Sequence, residues 1–313
     1  MKVAVIGTGF GKHAAAPAYE GLGFEVEVVS PRDAVAVRTA LASDVDLVSV
    51  HSPPFMHADH VMGAIDHGRA VLCDKPFGRN ADEAKAMRDG ARNAGVLHFL
   101  NFEFRFNESW SKVKELADAG AIGDVAHLNW TFFGGGLRGR KYGWINDRDL
   151  GGGWIGAYGS HLIDYTRHLF GSEVVDCGGV TRIDGPPHPE APRNATAEDA
   201  YSAWFRMDNG CTAVHDTGFA AAVPTVPRAI LMGSAGSIEL TGDTTLVLRR
   251  AGEDAETLEF APPPRRSPPP ALTTFLAEVA EALRTGTQVA PSFDDGLAVA
   301  QVMDRLRTTA VRA

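Results

Sequence analysis

Lys2-Val3-Ala4-Val5-Ile6-Gly7-Thr8-Gly9-Phe10-Gly11-Lys12 joins a short apolar run to a glycine turn. An apolar, β-branched run that stops at glycine reads as a buried parallel strand. An alanine-rich helix over 13–20 follows. Strand, glycine turn, helix is the context that a dinucleotide fingerprint requires. Gly7 permits the tight turn, and Gly9 lets the backbone approach a pyrophosphate. Thr8, Phe10 and Gly11 complete the loop, and the helix start offers free N–H groups and its positive dipole end. The fit to G-x-G-x-x-G is offset. The third glycine would fall at position 12, which is Lys12, and stands one place early at Gly11.

Outward from this stretch, the first half alternates strands and helices. Residues 25–30 form the second strand, ending Ser30-Pro31-Arg32-Asp33. A carboxylate at that end would hold both adenosine ribose hydroxyls and select NAD. Ser30 and Arg32 suit a 2′-phosphate better, which points to NADP(H) ahead of NAD(H); Asp33 serves the ribose only if the loop is shifted. A helix over 34–42 leads to a strand over 45–50, a short connection that trims the adenine side. His51-Ser52-Pro53-Pro54-Phe55-Met56-His57 leaves that strand at its carboxyl end, where ligands sit in open α/β sheets. After a helix over 57–67 and a strand over 70–73 comes Asp74-Lys75-Pro76. A residue before proline is held extended, so the Lys75 ammonium projects from a strand end. A helix around Met87 and a strand over 96–102 bring Asn101, Glu103 and Arg105 to the same edge.

The second half changes character. The turn at 121–124 marks the expected boundary, giving a dinucleotide-binding domain over 1–120 and a substrate-binding and oligomerisation domain over 121–313. Residues 125–133 alternate like a strand with one wet face. A glycine-rich basic loop over 134–144, with Arg138, reads either as the rim of a substrate site or as a solvated surface loop. Gly151-Gly152-Gly153-Trp154-Ile155-Gly156-Ala157-Tyr158-Gly159-Ser160-His161 then leads into a helix. Ser160 reads as its N-cap, which puts His161 in the first turn. Strands follow over 174–183, 201–207, 212–217, 228–232 and 237–250, the last folding back at Gly242-Asp243. Residues 182–193 are proline-rich and irregular, and 261–270 read as an extended linker before two helices. The expected fold is an α/β, Rossmann-type domain followed by an α+β domain on a large, mostly antiparallel sheet.

Composition narrows the function. The chain has 313 residues, 44% of them hydrophobic and 22% charged, enough for two cores. Its net charge is −9, which argues against nucleic acid and anionic membrane surfaces as partners. Cys73, Cys177 and Cys211 make neither a disulfide framework nor a metal pair. With no run of signal-peptide or membrane-spanning length, a cytoplasmic location is expected. The 11 histidines include no H-x-x-x-H with a nearby carboxylate in a suitable context, so no metal is expected.

Gly7-Thr8-Gly9-Phe10-Gly11, Ser52-Pro53-Pro54 with His57, Asp74-Lys75-Pro76 and the 151–164 stretch occur in that order along nearly the whole chain. Together they resemble the Gfo/Idh/MocA family of nicotinamide-dependent oxidoreductases. The resemblance implies that Lys75 matches the lysine of the family's Glu-Lys-Pro motif, beside the nicotinamide ribose and the substrate. It implies that His161 is the catalytic histidine, and that Gly7, Gly9, Ser52 and Pro53 line the cofactor. His51, His57, Asp74 and Asn101 complete the expected cofactor set. Arg105, Trp154, Tyr158 and Arg138 are expected near a small polar substrate lying between the nicotinamide and the second-domain sheet. Two residues depart from the pattern. Asp74 replaces the usual glutamate, and Ala157 stands where many members carry an aspartate four residues before the histidine.

The resemblance implies hydride transfer between nicotinamide and a secondary alcohol or ketone of a sugar, cyclitol or related metabolite. His161 takes the hydroxyl proton and Lys75 polarises the carbonyl oxygen, or the two roles are reversed. A homodimer or homotetramer through the second sheet is expected. The loss at Ala157 leaves two other readings open: a non-catalytic NAD(P) and sugar sensor, and a lyase or deglycosidase that recycles its cofactor.

Overall fold

The structure, a computed structural model, describes residues 1–187, 191, 193–262 and 268–313. The irregular stretch expected at 182–193 and the linker at 261–270 fall partly outside the described residues. The chain divides into two units. The first comprises Met1–Phe106, Asp149–Gly151 and a late segment ending at Gln301. The second comprises Asn107–Arg148, Gly152–Pro262 and Val302–Ala313.

The first unit is built on five strands: β1 (Lys2–Ile6), β2 (Glu25–Val29), β3 (Leu47–Val50), β4 (Ala70–Cys73) and β5 (His98–Leu100). They are all parallel, in the order β2-β1-β3-β4-β5. Val3 to Ile6 and all of β3 are buried, as strands covered on both faces must be. The crossover helices are α1 (Ala16–Gly21), α2 (Ala34–Ala42), α3 (His57–Asp66) and α4 (Ala81–Ala94). Side chains set two of their starts. Asp33 Oδ1 accepts from the N–H groups of Val35 and Ala36, and Asn80 accepts from that of Glu83.

The contiguous division at 120/121 differs from these units for a packing reason. After α5 (Glu108–Asp118) and α6 (Ser160–Phe170), helix α7 (Pro270–Thr285) turns Leu272, Phe275, Leu276 and Val279 into the first core, against Val3, Val5, Leu47 and Leu72. Burying each such side chain is worth about 1.5–3 kcal/mol, so a late helix returns to the early sheet. Helix α8 (Phe293–Thr309) follows it.

The second unit carries nine strands: β6 (Val125–Phe133), β7 (Val174–Arg182), β8 (Ala200–Met207), β9 (Thr212–Gly218), β10 (Arg228–Gly233), β11 (Gly236–Thr241), β12 (Thr245–Arg250), β13 (Glu256–Glu259) and β14 (Val311–Arg312). Their order is β13-β12-β11-β10-β6-β9-β8-β7-β14. The β6–β9 and β7–β14 pairs are parallel and the other pairs antiparallel. The alternation expected in β6 is present, with Leu128 and Trp130 buried between half-buried His127, Asn129 and Thr131. Val113 of α5 and Tyr165 of α6 pack on that inner face with Leu128, Trp130, Leu231 and Leu240.

Candidate functional site

The glycine loop separates into two kinds of position. A Cβ on Gly7 would stand 2.7 Å from the His51 carbonyl oxygen, and one on Gly11 would stand 3.0 Å from His51 Cβ and from Val5. The backbone leaves no room for a side chain at Gly7, and one at Gly11 would crowd His51 and Val5. A Cβ on Gly9 would meet nothing within 4 Å. Thr8, Gly9 and Phe10 are exposed at the carboxyl end of β1. A backbone left open there, beside a helix start, fits the pyrophosphate of a dinucleotide. The offset third glycine has a structural cause. The turn over Gly11–Ala15 is wide, of the i→i+5 kind, and takes up one residue before α1 begins. Gly11 thus does the close-packing work of the third glycine from one place earlier.

At the end of β2, Arg32 is exposed and its N–H donates to Ser30 Oγ (3.3 Å). The Asp33 carboxylate caps α2 instead of facing the strand end.

A buried polar chain runs beneath the loop. The Tyr19 hydroxyl lies 3.0 Å from Ser49 Oγ, Ser49 Oγ 2.8 Å from His51 Nε2, and His51 Nδ1 3.2 Å from Asp74 Oδ2. Asp74 Oδ1 accepts from the Lys75 backbone N–H (2.9 Å) and from Asn101 Nδ2 (3.1 Å). Burial acts to raise the Asp74 pKa. The His51 hydrogen bond and charge, with the Lys75 ammonium, outweigh it and hold the carboxyl well below its usual range. Asp74 is therefore an anion beside Lys75, which is half-buried at the end of β4.

Several residues expected at the cofactor or substrate do other work. His57 is fully buried, with its two ring nitrogens against the carbonyls of Ser52 (2.7 Å) and Pro76 (3.1 Å). It fastens the 52–53 turn to the 75–76 turn and keeps no atom for a ligand. Burial lowers its pKa, and that of His60 is pushed down to about 4, by burial and by His57 nearby. His60 Nδ1 also lies 3.0 Å from Ser52 Oγ, which turns that hydroxyl inward; Pro53 remains half-buried. His51 and Asn101 are buried and serve Asp74. Arg105 is paired with Asp295 at 2.8 Å, and only 9% of its side chain is exposed.

In the second unit, the 152–161 stretch is shaped by contacts across the sheet. A Cβ on Gly152 would strike the Asp147 carbonyl, and one on Gly153, at φ 109°, the Glu198 carboxylate. Only glycine fits such a backbone without strain. Ser160 is not the N-cap. A second wide turn, Ile155–Gly159, precedes α6, and Ser160 Oγ donates back to the Gly156 carbonyl. The helical start is held by Glu198 instead. Its carbonyl accepts from the Trp154 N–H (2.7 Å) and its carboxylate from that of Ile155 (3.3 Å). Arg307 Nη2 lies 3.4 Å from the same carboxylate. His161 is 2% exposed, one turn further into the helical run than expected.

Trp154 is buried and spends its indole N–H on Thr217 Oγ1 (2.9 Å). Its ring stacks between Tyr158 (4.9 Å) and Phe219 (4.2 Å), and Phe132 lies 5.4 Å from Tyr158. Trp154 and Tyr158 thus build an aromatic stack in which Trp154 is buried while Tyr158, Phe219 and Phe132 are partly open. Arg138 donates from Nε to the Ala220 carbonyl. Glu198 and Phe219 were not foreseen. Each is far along the chain from the glycines it meets, and no local spacing announces it. Lys75 belongs to the first unit and His161 to the second.

Among the described residues, no group of three His, Cys, Asp or Glu side chains is placed to hold a metal. No helix among them is long and apolar enough to cross a membrane.

The family described as "Oxidoreductase family, NAD-binding Rossmann fold" matches residues 1–102. The "GFO/IDH/MocA C-terminal domain" matches residues 110–239. An uncharacterized oxidoreductase of Synechocystis sp. is 32% identical over 191 residues, covering 55% of this chain and 52% of that protein. Levoglucosan dehydrogenase of Pseudarthrobacter phenanthrenivorans is 26% identical over 160 residues, covering 50% of this chain and 40% of its own. The chain spans about half the length of the curated relatives it matches. Among solved structures, levoglucosan dehydrogenase in complex with NADH and levoglucosan has a TM-score of 0.87 at 20% identity, covering 99% of this chain and 96% of that one. Aldose-aldose oxidoreductase from Caulobacter crescentus complexed with glycerol has a TM-score of 0.81 at 20% identity, covering 99% and 97%. At these identities the likeness establishes the fold. Matched along both its dinucleotide-binding half and its large-sheet half, the chain belongs to the Gfo/Idh/MocA family of oxidoreductases.

Proposed function

We propose that this protein is an NAD(P)-dependent dehydrogenase or reductase acting on a secondary alcohol or ketone of a sugar, cyclitol or related polar metabolite. The observation that carries the reading is the first unit's strand-end cluster. An open glycine backbone at the end of β1 and a lysine beside an ionised aspartate at the end of β4 meet on one edge of the sheet. Gly7, Thr8, Gly9, Phe10 and Gly11 hold the pyrophosphate, with Pro53 and the Ser52 backbone lining the same edge. A bound nicotinamide supplies the hydride acceptor or donor.

The chain's own groups handle the proton and the oxygen. His161 takes the hydroxyl proton in the oxidative direction, a role suited to imidazole because its ordinary pKa is about 6.5. Lys75, beside the anionic Asp74, polarises the substrate oxygen and steadies its developing negative charge.

Ser30, the exposed Arg32 and the capping role of Asp33 support NADP(H) over NAD(H). Trp204, 46% exposed on the open face of the large sheet in a row with Val214, Asn129 and Ile230, supports self-association through that face. Three unpaired, buried cysteines fit a reducing, cytoplasmic setting. Ala157 supports the second reading, a sensor that binds cofactor and sugar without turnover.

The test is nicotinamide absorbance against a panel of sugars, inositols and their keto forms, with both cofactors. Lys75→Ala and His161→Ala are each expected to lower turnover by at least about tenfold, or 1.4 kcal/mol of transition-state stabilisation. If neither does, the assignment fails. Tight cofactor binding with no turnover on any substrate moves the conclusion to the sensor.

A further inference from the structure

His51 joins two features that are separate in sequence. Its side chain is fully shielded from solvent. On one side, Gly7 and Gly11 pack against it, and the Phe10 ring centre lies 5.6 Å from its own. On the other, Nδ1 lies 3.2 Å from Asp74 Oδ2. An ionised carboxylate only accepts, so this nitrogen carries a hydrogen whatever the charge on the ring. Nε2 is met by Ser49, which Tyr19 holds in turn.

Asp74 is thereby gripped from the ends of three neighbouring strands: by His51 after β3, by the Lys75 N–H after β4 and by Asn101 after β5. The aspartate is one methylene shorter than the glutamate usual at this place. His51 reaches it where it lies.

We propose that His51 is a positioning residue for Lys75, fixing the Asp74 carboxylate in one orientation and with it the backbone from which Lys75 projects. The inference rests on the reading of Lys75 as a catalytic group.

The test compares His51→Ala, His51→Asn and Lys75→Ala in the full chain, together with a 15N-histidine NMR spectrum of the cofactor-free wild type. His51→Ala is expected to lower kcat at least about tenfold, the scale of a small misplacement at a reacting group, with the cofactor KM little changed. In His51→Asn the amide nitrogen takes the place of Nδ1 and donates to Asp74, so most of kcat returns. A role in packing alone would make the two variants equally impaired, since both lack the ring. The spectrum, assigned by the signal lost in His51→Asn, is expected to show hydrogen on Nδ1. Hydrogen on Nε2 alone, equal impairment of the two variants, or wild-type kcat in His51→Ala overturns the inference while Lys75→Ala remains impaired. Wild-type turnover in Lys75→Ala overturns the catalytic reading of Lys75 itself. The spectrum then decides the His51–Asp74 link independently of activity.

Discussion

Substitutions in the glycine loop should separate folding from binding. At Gly9 a methyl group would meet nothing within 4 Å. Gly9→Ala should therefore leave the cofactor-free protein within about 0.5 kcal/mol of wild type, and the lost glycine freedom pulls toward stabilisation by about 0.4–1 kcal/mol. At Gly7 the same methyl would stand 2.7 Å from the His51 carbonyl. That carbonyl is backbone, and its own residue is tied to β1 by the His51 N–H donating to the Ile6 carbonyl at 2.8 Å. It cannot swing away as a side chain would. Overpacking of this kind costs about 1–3 kcal/mol. At roughly 2–4 °C per kcal/mol for units of this size, Gly7→Ala should melt about 2–12 °C lower. The order reverses for ligand. A cofactor at 100 times its Kd adds about 2.7 kcal/mol to a folded protein. Gly9→Val fills the open space and should remove that stabilisation, a loss of at least about a hundredfold in affinity. Differential scanning fluorimetry with and without NAD(P)H, backed by a fluorescence titration, reads both effects. Wild-type affinity in Gly9→Val, or a Gly9→Ala melting point as low as that of Gly7→Ala, would refute the reasoning.

Two further outcomes are expected. Arg32→Asp should shift the ratio of kcat/KM for NADP to that for NAD by at least about tenfold toward NAD, the worth of one lost ion pair near the surface and one gained ribose acceptor; an unchanged ratio would remove the end of β2 from cofactor choice. Burial pushes the pKa of His215 down to about 3, so the unfolded chain takes up that proton first and stability falls by about 1.4 kcal/mol per pH unit between about pH 6.5 and 3. His215→Gln should flatten that part of the urea-denaturation profile, and an identical pH dependence in the variant would contradict it.

What could be read from the sequence follows from how each unit stores its information. In the first unit, chemistry sits where strands stop. Gly7, His51, Asp74 and Asn101 each stand within one residue of a β-branched or apolar run, so finding the run finds the residue. In the second, the groups that shape the site meet across the sheet. Trp154 meets Phe219, and Gly153 meets Glu198, over 65 and 45 residues of chain, separations that no local pattern encodes. The direction of a side chain was equally illegible. His57, Arg105 and Ser52 lie on the right edge, yet each turns inward to a carbonyl, a carboxylate or an imidazole. Position along a strand fixes an edge, while partners decide which way a side chain faces. Helix α5 went unread because its buried face, Trp110 and Val113, is narrow among lysines and glutamates. Edge strand β13 lacks any buried residue to mark it.

The two misplaced helix starts share one cause. Each follows a glycine-rich segment, and each contains a single wide turn, Gly11–Ala15 before α1 and Ile155–Gly159 before α6. An i→i+5 turn inserts one residue into a 3.6-residue repeat, so a periodicity argument that runs back from the helix body loses register there. That is why the third glycine of the loop looks one place early and why Ser160 looks like a cap. Wide turns are unfavourable in a plain helix and persist where surrounding contacts over-determine them. At the first, His51 and Val5 do so by their closeness to Gly11. At the second, Glu198 takes the leading N–H groups and Tyr201 crowds Gly159, where a Cβ would stand 2.7 Å from its hydroxyl. These two distortions coincide with the two stretches that carry the loop glycines and His161. A local rule is broken at both, and at both the compensation comes from residues distant in sequence, which is the pattern expected where a chain trades regularity for the placement of a functional group.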